Sequence, residues 1–112
     1  MRFMTLWRPT KILPPDQRRY AEMNKFIEEH AKAGKLFLAG GWDPTTPCTV
    51  VKRSGDKVTV TDGPFAEAKE MVGGFAVLDV QSKEEVLEIA RRFVALAGEG
   101  TSEIRELPTE SA

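Results

Sequence analysis

The sequence is poor in the residues that usually identify a functional class at once. Among its 112 residues there is one cysteine, Cys48, and one histidine, His30. A single cysteine cannot form an internal disulfide, and one histidine with one cysteine cannot assemble a zinc site. The carboxylates lack the spacing of a calcium-binding loop, and the glycine pairs lack the context of a phosphate loop. The sequence therefore predicts no metal and no cofactor.

An excess of one charge and long apolar runs are also lacking. With 16 basic and 17 acidic residues the net charge is -1, so there is no general attraction to nucleic acid or to an anionic membrane. No segment is long enough to span a bilayer, and the apolar run Phe3–Trp7 is too short for the core of a secretory signal. We therefore expect a cytoplasmic protein with no nucleic-acid partner and no membrane partner.

What the chain does contain is a regular succession of strand and helix patterns. Arg2–Trp7, Leu36–Ala39, Phe75–Val80 and Thr101–Leu107 are apolar or alternating and predict strands. Cys48–Arg53 and Lys57–Thr61 flank Ser54-Gly55-Asp56 and predict a β-hairpin. This order predicts an α+β fold, a ferredoxin-like βαβ-hairpin-βαβ sandwich with both helices on one face of the sheet. Residues 1–108 form one domain, and 109–112 are expected to be a frayed tail.

The two helices have recognisable starts. Pro14-Pro15-Asp16 begins the first helix, along which Tyr20, Met23, Ile27 and Ala31 recur at helical spacing, and Gly34 ends it. Ser82 and Glu85 have the spacing of a capping box at the start of the second helix. His30 lies near the end of the first helix, where we expect a solvated side chain, and Cys48 is expected to be a buried small hydrophobe.

Several predicted strands are apolar on both sides, although two helices cover only one face of a sheet. Phe3–Trp7 and Leu36–Ala39 are the clearest cases. A bare apolar face of several strands is larger than soluble monomers usually expose, so we expect a homodimer that packs sheet against sheet. The alternative is a monomer in which the hairpin and the Arg8–Pro15 loop cover part of that face.

The most informative segment is Thr61-Asp62-Gly63-Pro64-Phe65-Ala66-Glu67-Ala68-Lys69-Glu70, followed by Gly73-Gly74-Phe75. Pro64 suits the first position of a helical turn, and Asp62 then accepts hydrogen bonds from the backbone N–H groups of Phe65 or Ala66. This structural interpretation explains the motif without a ligand. In the functional interpretation, Asp62 is a general base beside the apolar Phe65 ring, and Glu67 or Lys69 orients a polar ligand.

Three further residues complete the candidate site. Trp7 and Trp42 are expected to line a cavity and stack on a flat ligand, although an indole at a strand end also serves in a core or interface. Asp43 follows Gly40-Gly41 and adds a carboxylate to the same cleft. The predicted site therefore consists of Asp62 as the catalytic candidate, with Phe65, Glu67, Lys69, Asp43, Trp42 and Trp7 as binding residues.

The Thr61–Glu70 motif with Gly73-Gly74-Phe75 resembles the DGPF-domain branch of the YCII-related proteins. Ala33-Gly34 before a strand that ends in Gly40-Gly41, the hairpin, and Asp79 followed by Ser82 extend the resemblance over nearly the whole chain. It implies a small, cytoplasmic, bacterial protein that forms a dimeric α+β barrel. For most members of this family the biochemical function is unknown, and some accompany extracytoplasmic-function sigma factors.

A related branch of the family has a histidine–aspartate pair in the cleft between strands. Its aspartate corresponds to Asp43, but its histidine falls near Met23, where this chain has no imidazole. His30 lies about two turns further along, so the pair is not carried over. Two functions remain open: a small-molecule binder or enzyme with its cleft near Asp62–Phe65, and a non-enzymatic accessory module that acts through protein contacts.

Overall fold

The computed structural model describes residues 1–11, 13–42, 47–62 and 73–108. The elements in chain order are β1 (Arg2–Pro9), α1 (Gln17–Lys32), β2 (Leu36–Gly41), β3 (Thr49–Ser54), β4 (Lys57–Asp62), β5 (Gly74–Asp79), α2 (Lys83–Ala97) and β6 (Gly100–Leu107). The predicted α+β class and element order are confirmed. Among the described residues, no helix has the length and apolar character needed to cross a membrane.

The main sheet has four strands in the order β2-β5-β1-β6, and all neighbouring strands are antiparallel. This is the ferredoxin-like arrangement, in which each helix connects two strands that are separated by a third. Strands β3 and β4 form a separate antiparallel hairpin. Gly55 has φ of 61° in its turn, a value that glycine tolerates without a steric penalty.

Both helices pack on one face of the main sheet. The buried core consists of Phe3, Phe26, Leu78, Val80, Val86 and Ile89. Phe3 on β1 lies directly opposite Leu78 on β5, and Leu36 on β2 pairs with Leu78 from the other side. Large side chains in this row fill the space below the helices and hold the two layers together.

The predicted helix ends are confirmed. The side chain of Asp16 accepts hydrogen bonds from the backbone N–H groups of Arg18 and Arg19, and Ser82 accepts one from Glu85 at 3.2 Å. These contacts satisfy N–H groups that have no partner inside the helix. Gly34, with φ of 75°, follows the end of α1.

The apolar residues that recur along α1 are only partly buried. Tyr20 and Ile27 are 46% and 38% exposed, whereas Phe26 and His30 are buried. The helix is therefore turned so that Met23, Phe26 and His30, at spacings of three and four, point toward the core. Cys48 is exposed, so its expected burial was also wrong.

Candidate functional site

A cavity of about 540 Å³ lies between the helices and the main sheet. Its volume is within the range of about 300–1,000 Å³ that small-molecule sites occupy. The aromatic residues of its wall include Trp7 from β1, Tyr20 and Phe26 from α1, and Phe93 from α2. We refer to this space as the sheet–helix cavity.

The cavity results from small residues in consecutive rows of the sheet. Ala39 on β2 pairs with Ala76 on β5, and the next helix-facing pair is Gly41 with Gly74. Thr5 on β1 lies opposite Ala76 in the same row. These positions follow a row filled by leucine and phenylalanine, so the change from large to small side chains leaves space under the helices.

Trp7 is held in the cavity wall by side-chain and backbone contacts. Its ring packs edge-to-face on Phe93, with centroids 5.3 Å apart and an interplanar angle of 81°. Its carbonyl accepts a hydrogen bond from the N–H of Gly73 at 2.6 Å. A Cβ at position 73 would lie 2.9 Å from Cδ of Pro9, so glycine permits this close approach.

His30 is the polar side chain most deeply placed in this wall. It is 7% exposed, lines the cavity, and packs edge-to-face on Phe26 with centroids 4.4 Å apart. Its Nδ1 lies 2.8 Å from the carbonyl oxygen of Phe26. The expectation of a solvated His30 was therefore wrong, because the rotation of α1 brings this residue onto the core side.

A charged contact joins the two helices near this wall. Nη2 of Arg92 donates to Oε2 of Glu29 at 2.9 Å, and the Arg92 guanidinium lies 5.0 Å from the centre of the Phe26 ring. The hydrogen bond from Arg92 holds the pKa of the Glu29 carboxyl below its ordinary value. Arg92 thus links α1 to α2 beside the residue that supports His30.

The structure separates the predicted site residues. Trp7 lines the sheet–helix cavity, but neither Trp42 nor Asp62 is among the described residues of its wall. Trp42 is 41% exposed, and its ring centroid lies 6.4 Å from that of Phe75. Asp43, Phe65, Glu67 and Lys69 lie outside the described residues.

Asp62 lies at the end of β4, in the exposed hairpin. Its Oδ1 accepts a hydrogen bond from Oγ1 of Thr49 at 2.7 Å, across the last pair of the hairpin. The predicted contacts to Phe65 and Ala66 fall outside the described residues. Within the described ranges, no three of the histidine, cysteine, aspartate and glutamate side chains are grouped so that they would hold a metal ion.

Sequence reasoning missed His30 as a cavity residue. The available signal was the series Met23, Phe26 and His30, which has helical spacing and ends in the chain's one histidine. The alternative series through Tyr20 and Ile27 has equally apolar members, and both residues also line the cavity. The two series lie on adjacent sides of α1, and only the packed structure shows which one is buried.

Together these features define a two-layer α+β domain with a cavity of small-molecule size between its layers. The chain matches the YCII-related domain over residues 1–108 and therefore belongs to the YCII-related family. It is 34% identical over 93 residues to an uncharacterized protein of Rhizobium meliloti (strain 1021), an alignment that covers 82% of this chain and 75% of that protein.

The fold is similar to that of a solved enzyme. This structure is the 5-chloro-2-hydroxyhydroquinone dehydrochlorinase of Burkholderia phenoliruptrix AC1100 in complex with 2,5-dihydroxybenzoquinone. The TM-score is 0.54 at 14% sequence identity, and the alignment covers 96% of this chain and 94% of the enzyme. At this identity the likeness shows a common fold.

Proposed function

We propose that this protein binds a flat, uncharged small molecule in the sheet–helix cavity. The observation that carries the proposal is the cavity of about 540 Å³ with aromatic residues from the sheet and from both helices in its wall. Apolar concave sites with a few polar groups are typical of ligand-binding pockets. The similar fold that holds 2,5-dihydroxybenzoquinone, a flat six-membered ring, gives further support by analogy.

The Asp62–Phe65 loop belongs to the same proposal. Gly73 and Gly74 line the cavity, and Gly73 is only eight positions after Phe65. The Thr61–Glu70 motif also supports placement in the DGPF branch, with the cytoplasmic location, bacterial origin and homodimeric state that the resemblance implies. Acid–base catalysis by Asp62 is a separate hypothesis, because this carboxylate lies in the exposed hairpin and not among the described residues of the cavity wall.

A cavity-filling substitution tests the binding proposal. Ala90 on α2 lines the cavity, whereas Ala95 on the same helix is exposed. We expect 2-methylnaphthalene, titrated into labelled protein, to shift the backbone amide signals of Gly74 and Ala76 in two-dimensional NMR spectra. The Ala90→Phe variant should lose this response because the new ring occupies the space, and Ala95→Phe should keep it. Equal responses in both variants, or none in the wild type, would contradict the proposal.

The role of Asp62 requires a different pair of variants. Asp62→Ala removes the carboxylate and its hydrogen bond, whereas Thr49→Val removes the same hydrogen bond and leaves the carboxylate. A thermal-shift screen of hydroxylated aromatic compounds should give hits that Thr49→Val retains and Asp62→Ala loses. A ligand at about 100 times its dissociation constant adds roughly 2.7 kcal/mol of stability, which such a screen detects readily. Hits that persist in both variants would assign Asp62 a structural role.

Binding of another protein is a second candidate function, and an exposed apolar surface of the hairpin supports it. Val51, Val58 and Val60 share one face of the hairpin, and their side chains are 66%, 60% and 66% exposed. A two-stranded hairpin is only marginally stable alone in water, so a partner on this face would stabilise it. This surface suits an accessory module that acts through protein contacts, of the type associated with sigma factors.

A further inference from the structure

We propose that His30 is the hydrogen-bond acceptor of the sheet–helix cavity and that the cavity selects a ligand with a hydroxyl group on a flat ring, such as a phenol. This inference rests on the proposed function, since it names the ligand class of the same cavity. It uses a residue that is neither in the Thr61–Glu70 motif nor at the helix position, near Met23, where the related branch has its histidine.

The first step is the burial of an incompletely paired imidazole. His30 is 7% exposed and lines the cavity. Its Nδ1 is paired with the carbonyl of Phe26, and this is the hydrogen bond that the ring forms with the described residues. Nε2 is not one of the fully buried, unpaired side-chain atoms of the described residues, so it keeps some accessible surface. A ligand that covers this atom removes it from water, and such a ligand binds more tightly if it supplies a hydrogen-bond partner in place of the water.

The second step is the position of the proton. A carbonyl oxygen only accepts hydrogen bonds, so Nδ1 of His30 must carry the hydrogen that is donated to Phe26. In the neutral imidazole this leaves a lone pair on Nε2, which makes Nε2 an acceptor. Glu29 does not compete for the ring, because its Oε2 is 4.0 Å from Nδ1 and accepts a hydrogen bond from Arg92. The ligand atom that meets Nε2 must therefore donate.

The third step is the composition of the remaining wall. Thr5, Tyr20 and Ser102 contribute hydroxyl groups, and no lysine, arginine, aspartate or glutamate is among the described residues of the wall. A charged ligand group would lose its hydration without gaining an opposite charge from these residues. The aromatic rings of Trp7 and Phe93 favour a flat apolar body. An uncharged ring with one donating hydroxyl satisfies each of these conditions.

The test compares 2-naphthol with 2-methylnaphthalene, in which a methyl group of similar size replaces the hydroxyl. The titrations use wild type and His30→Leu at about pH 8, where an ordinary imidazole is neutral and 2-naphthol is largely protonated. We expect wild type to bind 2-naphthol about fivefold more tightly than 2-methylnaphthalene, which is the effect of one net hydrogen bond. In His30→Leu the preference should disappear or reverse, because the methyl group is more easily transferred to an apolar site.

A spectroscopic readout gives an independent test without mutation. Because His30 is the one histidine of the chain, its ring nitrogens are assigned directly in a long-range ¹H–¹⁵N spectrum. The free protein should show the tautomer with the proton on Nδ1, and 2-naphthol should shift the Nε2 signal more than 2-methylnaphthalene does. A His30→Gln variant, which keeps an acceptor, should restore part of the preference for 2-naphthol.

The outcomes separate the two proposals. If both probes bind and their affinity ratio is the same in wild type and His30→Leu, the inference about His30 is wrong and the binding function stands. A proton on Nε2 in the free protein would likewise overturn the inference alone. If neither probe binds wild type, both the function and the inference that rests on it are overturned.

Discussion

At the scale of single residues, the cavity depends on a few positions where side-chain size changes within the sheet. Leu36 and Leu78 pair in the core row, and Ala39 and Ala76 pair in the next helix-facing row. The aromatic Trp7 extends over the resulting space and packs on Phe93. An apolar ligand in this space would make the packing contacts that larger side chains make in the neighbouring row. The space therefore favours an apolar molecule.

A residue-scale prediction concerns Arg2 and Asp79, on the sheet face away from the helices. Nε and Nη2 of Arg2 donate to the two carboxylate oxygens of Asp79 at 3.0 and 3.1 Å. The hydrogen bonds from Arg2 hold the pKa of the Asp79 carboxyl below its ordinary value. The folded state therefore binds this proton less readily than the unfolded state, so the contribution to stability is present at neutral pH and is lost as the pH falls through the folded pKa.

Replacement of Asp79 should accordingly make the free energy of unfolding depend less on pH in the acid range. We expect Asp79→Asn to unfold at lower urea concentration than wild type at pH 7. The difference should begin to shrink as the pH falls below about 4, the ordinary aspartate pKa of the unfolded state, and should vanish once the pH is below the lower pKa of the folded state. Arg2→Gln is the matched control, because it removes the partner and leaves the carboxyl. Urea unfolding curves between neutral and acid pH measure the effect. A difference between wild type and Asp79→Asn that does not change with pH would contradict it.

At the scale of elements, the features that were predicted correctly are those that depend on residues close together in the sequence. The hairpin follows from Ser54-Gly55-Asp56, and the start of α2 follows from the capping hydroxyl of Ser82, since both depend on neighbouring residues alone. The rotation of α1 was not predictable in the same way. The series through Ile27 and the series through Phe26 are both apolar, and the contact with the sheet decides between them.

The candidate site was less predictable than the fold for a related reason. Trp7 was identified from its aromatic character at a strand end, and it lines the cavity. The space itself arises from pairing between β2 and β5, which are distant in sequence, so no local pattern indicates its volume. His30 was missed because its burial follows from the orientation of the whole helix.

At the scale of the molecule, the sheet face opposite the helices has no cover from the described elements. Its register places Met4, Leu6, Phe75 and Val77 on this outer sheet face, and Leu38 on the neighbouring strand is 53% exposed. The hairpin does not provide the cover, since all its residues are exposed and its strands do not pack extensively on the main sheet. Burial against a second copy would remove this apolar surface from water.

The whole-molecule prediction is therefore a homodimer formed through the outer sheet face. Light scattering on purified protein at micromolar concentration should give about twice the chain mass of 12.5 kDa. Val77→Lys should shift the mass toward the monomer, because a charge at the centre of this face would be buried without a partner. Val60→Lys, on the exposed hairpin, is the control and should leave the dimer intact.

The two variants also distinguish the outer sheet face from the hairpin as the contact surface. If Val60→Lys dissociates the dimer and Val77→Lys does not, the hairpin valines form the interface between copies. A wild-type protein that is monomeric at these concentrations would contradict the dimer itself. In that case the exposed valines of the hairpin would remain available for a different protein, and the accessory function would gain support over a contact between two copies of this chain.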